Sequence, residues 1–188
     1  MERALVITRS RKGVEFFSEM LKAVSCATIV PVPTGGKARR LLLDRDFDIC
    51  IINGPLQDEP GEDLARHVAS RGITQVILMT PSSYYEEITA LVENSGVMTV
   101  AKPVNEKLFW SALKMAYATH KKMQRLQTEN TKLVRKIEDI RLVDRAKCIL
   151  ISHMGMTEPQ AHKYIEKQAM DMRMTRRLVA EGILKTYE

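Results

Sequence analysis

Short apolar runs alternate with amphipathic stretches along the first 110 residues of the chain. The runs are rich in Val and Ile, which is typical of parallel strands that are buried on both faces of a sheet. The predicted strands are Ala4–Ile7, Thr28–Val32, Ile49–Ile52, Gln75–Met79 and Met98–Ala101. Helical spacing predicts helices around residues 12–24, 36–44, 62–70 and 84–94, and a further helix from residue 105. This alternation predicts the fold class α/β, with a doubly wound, five-stranded parallel sheet over residues 1–110.

A much longer helix is predicted after this domain. Residues 105–153 contain neither Pro nor Gly, so one helix of about 48 residues can form there. From Ala116 and Thr119 onward, apolar and small residues alternate at spacings of three and four, as in a heptad repeat. The predicted dimerisation seam, within residues 111–140, consists of Met123, Leu126, Asn130, Leu133, Ile137 and Ile140.

Asn130 determines the predicted geometry of this seam. It occupies an a position, where a buried amide can bond its own copy only in a parallel, in-register pair. We therefore predict a parallel coiled-coil homodimer. The alternative is an amphipathic helix that packs on its own domain.

Residues 141–188 have the pattern of three short helices and are predicted to form a small all-α module. Gly155 suits the end of the first helix, where a left-handed residue is common. Thr157 and Gln160 form a capping box at the start of the second helix, and Thr175 is the predicted N-cap of the third. The residues that the third helix is predicted to bury are Leu178, Val179, Gly182 and Ile183.

Positive charge is concentrated in the C-terminal part of the chain. Residues 1–110 hold 13 Lys and Arg against 14 Asp and Glu, whereas residues 111–188 hold 16 against 9. The whole-chain net charge of +6 therefore comes from the second part. Such asymmetry favours an anionic partner, nucleic acid first, although a solvated basic surface would give the same count.

A specific resemblance covers this module. Its residues include the run D-R-A-K-C-I-L-I-S-H-M-G-M-T-E-P-Q-A at 144–161, the run Q-A-M-D-M-R at 168–173 and L-V-A at 178–180. Together they resemble the ANTAR family of transcription antitermination regulators, many of which have Gly where this chain has Cys148. The resemblance implies that the module binds a two-hairpin element in nascent RNA and prevents a terminator from forming.

The candidate RNA contacts are polar and mostly cationic residues of the module, because phosphate contacts dominate affinity for nucleic acid. They are Arg145, Lys147, Gln168, Arg173, Arg176 and Arg177. Only Tyr164 and Tyr187 supply Phe, Tyr or Trp rings here, which favours hairpin recognition over stacking of successive unpaired bases. Each candidate could instead lie on a solvated helix face.

The predicted sheet carries a second resemblance at the carboxyl ends of its strands, where the sites of such sheets lie. Asn53 follows the third strand, Thr80 follows the fourth, and Lys102 follows the fifth and precedes Pro103. These positions resemble the site of a response-regulator receiver domain, with Asn53 in place of the phosphoryl-accepting Asp. The resemblance implies a pseudo-receiver, with a Lys102–Pro103 bond that is often cis in receivers and a degenerate site at Asn53, Thr80 and Lys102.

Phosphoryl transfer in a receiver requires a carboxylate nucleophile and a Mg²⁺ ion that further carboxylates hold. The residues after the first strand are Thr8, Arg9 and Ser10, none of which is acidic. The sequence therefore predicts no metal site, no cofactor and no enzymatic activity. Four acids are instead predicted to be solvated around the start of the third helix: Asp58, Glu59, Glu62 and Asp63.

Neither secretion nor membrane insertion is indicated by the sequence. The first residues lack the apolar run of a signal peptide, and no segment has the roughly 18 apolar residues of a membrane helix. Cys26, Cys50 and Cys148 are odd in number and far apart, so they are predicted to be reduced thiols of a cytoplasmic protein.

These features predict a cytoplasmic, RNA-binding transcription antitermination regulator. Its predicted domains are a pseudo-receiver at 1–110, a coiled-coil dimerisation helix at 111–140 and an ANTAR RNA-binding module at 141–188. The homodimer is expected to bind a hairpin-containing leader RNA, under the control of a partner protein or ligand rather than receiver phosphorylation. Two alternatives remain open: a DNA-binding regulator with a helix-turn-helix, and a phosphorylation-independent protein scaffold.

Overall fold

The five apolar runs form the strands of one parallel sheet in the computed structural model, which describes residues 1–187. The strands are β1 (Arg3–Ile7), β2 (Thr28–Val32), β3 (Ile49–Asn53), β4 (Gln75–Pro81) and β5 (Val97–Lys102). Their spatial order is β2-β1-β3-β4-β5, and every pairing is parallel. The predicted doubly wound, five-stranded parallel sheet is confirmed.

Four helices connect these strands. They are α1 (Arg11–Ala23), α2 (Gly35–Asp44), α3 (Glu62–Ser70) and α4 (Tyr85–Val92), with single 3₁₀ turns on either side of α4. The hydroxyl of Ser10 caps α1 by accepting a hydrogen bond from the Gly13 N–H at 3.2 Å. Thr34 caps α2 in the same way and accepts from the Lys37 N–H at 3.3 Å. These caps fix the first turns of α1 and α2, and both helices start within one residue of the predicted position.

Side chains of the strands alternate between two apolar cores, one on each face of the sheet. Leu5 and Ile7 belong to the core beneath α2 and α3, whereas Ala4 and Val6 belong to the core beneath α1. Because both faces are covered by helices, the central strands read as continuous apolar runs rather than as alternating ones.

A single helix, α5 (Glu106–Met154), follows β5 and is 49 residues long. The predicted uninterrupted helix is therefore confirmed. Its first part is buried in the sheet domain through Phe109, Leu113 and Ala116. One compact unit extends over Met1–Arg125, and the second unit begins at Leu126.

Ala116 requires a correction to the heptad pattern. The pattern placed it at the start of the dimerisation seam, but its side chain is fully buried in the core beneath α1. Small size and helical spacing are shared by core and seam positions, so periodicity alone could not separate the two.

His120 is also buried in the N-terminal unit. Its Nδ1 lies 3.2 Å from the Ile73 carbonyl oxygen, and its Nε2 lies 3.4 Å from Asp48 Oδ1. The sequence does not predict the contact between Asp48 and His120, because these residues become neighbours only through the fold.

The second unit contains the end of α5 together with α6 (Glu158–Asp171) and α7 (Arg176–Tyr187). Its small core consists of Ala146, Leu150, Ala161, Ile165, Ala169, Val179, Ala180 and Leu184. The predicted capping box of Thr157 and Gln160 is present, and Gly155 has the predicted left-handed conformation with φ of 62°. Glu188, the last residue of the predicted module, lies outside the described residues.

The buried face of α7 agrees with the prediction at Val179 and Ile183 and differs from it at Leu178 and Gly182. Leu178 is 47% exposed and Gly182 is also exposed, whereas Val179, Ala180 and Leu184 are buried and Ile183 packs against them. Thr175 does cap α7, since its hydroxyl accepts from the Leu178 N–H at 3.3 Å. A short helix with several apolar residues allows more than one buried stripe, and packing on α5 and α6 selected this one.

None of the helices within residues 1–187 combines the length and apolar character that crossing a bilayer requires.

Leu113→Ala should lower the free energy of unfolding of the N-terminal unit by about 2–5 kcal/mol, because it leaves a cavity in a packed core. Met115, on the exposed side of the same helical turn, is the matched control. Met115→Ala should change that free energy by no more than about 0.5 kcal/mol. Urea unfolding followed by the fluorescence of Trp110, the single tryptophan, reports on this unit. Equal effects of the two variants would contradict the burial of α5 in the sheet domain.

Candidate nucleic-acid interface and degenerate receiver site

Polar side chains of the N-terminal unit gather at the carboxyl edge of the sheet. Thr8 follows β1 and Asn53 ends β3, and these strands are neighbours in the sheet. The Asn53 side-chain amide donates a hydrogen bond to Thr8 Oγ1 at 3.0 Å. The amide is therefore used to join two strand ends, and it offers no nucleophilic carboxylate at the position where a receiver carries its Asp.

Lys102 ends β5 at the same edge of the sheet. Its ammonium group donates a hydrogen bond to the Gly54 carbonyl oxygen, and burial lowers the pKa of this ammonium. The Lys102–Pro103 bond is cis, as the resemblance implied, and so is Gly54–Pro55. In a receiver this lysine faces a carboxylate, and here a backbone carbonyl replaces that partner.

Thr80 is the third member of the degenerate site and behaves differently. Its side chain is 1% exposed, and its hydroxyl has no hydrogen-bond partner within residues 1–187. Buried polar groups without partners are uncommon and costly in proteins. Within the same residues, no group of three or more His, Cys, Asp or Glu side chains is arranged to hold a metal ion.

Two acids of the loop after β3 bind residues of α2, whereas the sequence predicted that they would be solvated at the start of α3. Asp58 accepts hydrogen bonds from the Gly35 and Gly36 N–H groups at 2.9 and 2.8 Å, in the first turn of α2. Glu59 forms an ion pair with Arg39 at 2.8 Å. Only Glu62 and Asp63 lie in the first turn of α3, where the sequence analysis placed all four acids. The contact between Glu59 and Arg39 spans 20 residues, so local sequence patterns do not predict it.

The hydrogen bonds from Gly36 and Gly35 hold the pKa of Asp58 below its ordinary value, since they favour the ionised carboxylate. The ionised Asp58 carboxylate therefore stabilises the folded state fully at pH values above the pKa of Asp in an unfolded chain, about 3.9. This stabilisation is lost as the pH falls below that pKa.

Asp58→Asn should accordingly lower the midpoint of thermal unfolding at pH 7, and its difference from wild type should narrow at acidic pH. Asp46→Asn, at an exposed carboxylate with no ion pair within residues 1–187, is the control and should leave the midpoint unchanged. Calorimetry of wild type and both variants between about pH 7 and pH 3 checks this, because ionisation of Asp58 changes over the lower part of that range. A difference between Asp58→Asn and wild type that does not depend on pH would exclude a role for the Asp58 charge.

Two of the predicted RNA contacts hold the helices of the second unit together. The Lys147 ammonium lies 2.8 Å from Asp144 and 2.9 Å from Glu158, and these carboxylates raise its pKa. Arg177 binds Asp139 at 2.7 Å and Glu181 at 2.8 Å. The pairs join α5 to the start of α6 and to α7.

Of the other four candidates, three are exposed and one is half-buried. Arg176 is exposed and forms one ion pair, with Glu166 at 3.1 Å. Arg173 is exposed between α6 and α7 and has a positive φ of 52°. Gln168 is half-buried on α6, and Arg145 is exposed on α5.

A cleft of about 830 Å³ in the second unit brings three candidates together, namely Lys147, Arg176 and Arg177. Its apolar lining consists of Ile140, Val143 and Leu178. Arg145, Gln168 and Arg173 lie outside this cleft.

A second cationic surface is formed by Lys163 and Lys167 on α6, one helical turn apart and beside Tyr164. Both lysines are exposed and lack an ion-pair partner within residues 1–187. They were not among the predicted contacts, although their spacing of four places them on one face of a helix.

The dimerisation seam is solvent-exposed on α5. Exposures of Met123, Leu126, Leu133, Ile137 and Ile140 range from 40% to 59%. Asn130 is exposed in the same part of the helix. This row of large apolar side chains has no covering partner within residues 1–187, and its pairing with a second copy stays a prediction.

Comparison with known proteins agrees with both resemblances. Residues 131–184 match the family described as "ANTAR domain". The chain is also 28% identical over 169 residues to the transcriptional regulatory protein PdtaR of Mycobacterium tuberculosis, a match that covers 90% of this chain and 82% of PdtaR.

Solved structures resemble the N-terminal part. A two component transcriptional regulator AraC from Clostridium phytofermentans has a TM-score of 0.58 at 20% identity, covering 66% of this chain and 98% of that one. A CheY-like receiver domain protein from Methanospirillum hungatei has a TM-score of 0.56 at 18% identity, covering 65% and 98%. Likeness at this identity establishes the receiver fold and nothing finer.

Proposed function

Because the chain carries an ANTAR domain behind a unit with the receiver fold, we propose that it is an RNA-binding transcription antitermination regulator. The ANTAR match over residues 131–184 is the observation that carries the proposal. In the proposed mechanism, a homodimer binds paired hairpins in a nascent leader transcript. Holding those hairpins in place removes sequence that the terminator hairpin needs, and transcription continues.

We assign the RNA contacts to three candidates that form at most one ion pair within residues 1–187. Arg173 and Arg176 are exposed at the junction of α6 and α7, and Gln168 lies at the end of α6. Arg side chains suit phosphate contacts and Gln can read a base edge in a hairpin loop. Lys147 and Arg177 act instead through their ion pairs, which hold α5, α6 and α7 in register.

The surface of α7 supports hairpin RNA over duplex DNA. A helix that reads the major groove carries several polar side chains in its first turns. After Arg176 and Arg177, α7 continues with Leu178, Val179 and Ala180, of which the last two are buried. The DNA-binding alternative therefore lacks the side chains that base reading requires.

Dimerisation through the seam of α5 would place two ANTAR domains in one molecule. Two hairpins in one leader can then be bound together, so the second binding event gains effective concentration. Asn130 would select the parallel, in-register pair.

Control is proposed to come from a partner or a ligand, and the protein is proposed to be a non-enzymatic regulator. The Asn53 amide bonds Thr8 and the Lys102 ammonium bonds a carbonyl, so neither side chain is available for receiver chemistry.

The proposal is tested by fluorescence anisotropy of the full chain with a two-hairpin leader RNA, an unstructured RNA and a duplex DNA of equal length. We expect the two-hairpin RNA to bind most tightly, and Arg173→Ala with Arg176→Ala to weaken it. That double variant should also reduce the slope of log K against log salt by roughly 0.7–0.9 per lost phosphate contact.

Lys12→Ala with Arg11→Ala is the matched control, since it removes two exposed cations from the other unit. It should leave both affinity and slope unchanged. Equal affinity and equal salt slopes for RNA and DNA would mean attraction by charge alone and would refute the antitermination proposal.

Leu133→Glu should convert the homodimer to a monomer, because it places a charge in an apolar seam, and should weaken binding to the two-hairpin RNA. Lys132→Glu, one position away and outside the seam, should leave the dimer intact. Sedimentation equilibrium measures the oligomeric state of both variants. A Leu133→Glu protein that stays dimeric would show that the seam is not the interface.

A further inference from the structure

A cleft of about 580 Å³, here called the α6 cleft, lies between α6 and the turn that joins α5 to it. It is formed wholly within the second unit. Its volume is within the range of about 300–1,000 Å³ that ligand sites occupy. None of the six candidate RNA contacts lines it. The lining residues are Met154, Gly155, Met156, Gln160, Lys163, Tyr164 and Lys167.

The charged side chains that line the α6 cleft are both cationic. Lys163 and Lys167 are exposed, and neither forms an ion pair within residues 1–187. They are four residues apart, so their Cβ atoms lie about 5–6 Å from each other on one face of α6. Of the acids of α6, Glu166 binds Arg176 at 3.1 Å, and Asp171 lies outside the lining and forms no ion pair with Lys167. The potential in the cleft is therefore positive, because no carboxylate in its lining neutralises the two ammonium groups.

The larger cleft, which is lined by Lys147 and Arg177, differs in this respect. Its lining includes Asp139, which binds Arg177 at 2.7 Å, and Asp144, which binds Lys147 at 2.8 Å. Those two cations therefore form ion pairs within the module. The lysines of the α6 cleft do not, so their removal leaves no carboxylate unpaired and should preserve the fold.

The uncharged polar side chains of the α6 cleft can also donate hydrogen bonds. Gln160 uses its side-chain oxygen in the capping box, where it accepts from the Thr157 N–H at 2.8 Å, so its NH2 group remains a donor. The Tyr164 hydroxyl forms no hydrogen bond within residues 1–187. A ligand with several anionic acceptor oxygens fits this set of donors. Phosphodiester oxygens of nucleic acid are such acceptors.

We propose that the α6 cleft binds the phosphodiester backbone of an RNA stem. Lys163 and Lys167 each contact a phosphate, and Gln160 and Tyr164 donate to ribose or phosphate oxygens. Contacts of this kind position the RNA and add affinity without reading its sequence. The inference rests on the proposed RNA-binding function and adds a surface that the candidate contacts do not include.

The position of the cleft along α6 favours a stem over a loop. Arg173 lies just beyond the end of α6, and Lys163 lies ten residues before it, which is up to about 15 Å of helix. That length corresponds to roughly four base-pair steps at about 3.4 Å each. A hairpin whose loop meets Gln168 and Arg173 therefore reaches Lys163 with its stem.

The test is fluorescence anisotropy of the full chain with the two-hairpin leader RNA across a range of salt concentrations. Lys163→Ala with Lys167→Ala should weaken binding about tenfold and lower the slope of log K against log salt by roughly 1.4–1.8, for two lost phosphate contacts. Lys163→Arg with Lys167→Arg keeps both charges and should bind as wild type does. Alanine suits exposed helical positions, and thermal unfolding confirms that each variant is folded.

Lys132→Ala with Lys136→Ala is the matched control. These lysines are also four residues apart, exposed, in the second unit and without an ion pair within residues 1–187. Their removal changes the net charge equally and should leave affinity and slope close to those of wild type. Sedimentation equilibrium confirms that the control keeps the oligomeric state. Equal effects of the two double variants would overturn the proposal, because net charge alone would then account for both.

A second RNA identifies the group that the lysines contact. In this RNA, neutral methylphosphonate linkages replace the phosphodiesters of the stems, and the loops are unchanged. The replacement should weaken binding of wild type more than binding of the Lys163→Ala, Lys167→Ala variant, because the variant has already lost those contacts. Additive effects of the RNA and protein changes would exclude the stem backbone as the ligand of the α6 cleft.

The same titrations separate this inference from the proposed function. If wild type prefers two-hairpin RNA to duplex DNA while the Lys163→Ala, Lys167→Ala variant binds as wild type does, the α6 cleft is refuted and the antitermination proposal stands. Loss of that preference in wild type refutes both.

Discussion

The central constraint on this protein is that one uninterrupted helix must satisfy three different surroundings. At its start, α5 gives Phe109, Leu113 and Ala116 to the core beneath the sheet. At its end, it gives Ala146 and Leu150 to the core of the second unit. Its middle carries the exposed apolar seam. Each region needs apolar residues at helical spacing, so helix formation is common to all three and burial alone distinguishes them.

At the sheet edge, Asn53 and Lys102 both form hydrogen bonds within the protein. Asn53 bonds Thr8, and Lys102 bonds the Gly54 carbonyl. Asp58 is bonded to the start of α2 and thereby ties the loop after β3 to a neighbouring helix. The receiver fold does not require an acid at position 53, because sheet packing depends on the apolar strands and not on the residues at their ends.

In the second unit, some cationic side chains form ion pairs within the module and others are exposed to solvent, and the net charge of the sequence does not distinguish the two groups. Lys147 and Arg177 each bind two carboxylates of the same module, so removing either would leave acids unpaired. Arg173 and Arg176 are exposed, and of the two only Arg176 forms an ion pair within residues 1–187, with Glu166. A small apolar core joins the end of α5 to the two short helices α6 and α7, and charged pairs across their surfaces help to orient the three helices.

The sequence by itself determined the order of strands and helices, the long α5, the caps at Thr157 and Thr175, and the absence of an acid at position 53. These features depend on local periodicity and on residue identity, which a chain displays without folding. Only the tertiary structure decided that Ala116 is core, that Leu178 is exposed on α7, and that Lys147 and Arg177 are ion-paired. Those outcomes depend on contacts between residues far apart in the chain, and no local pattern records them.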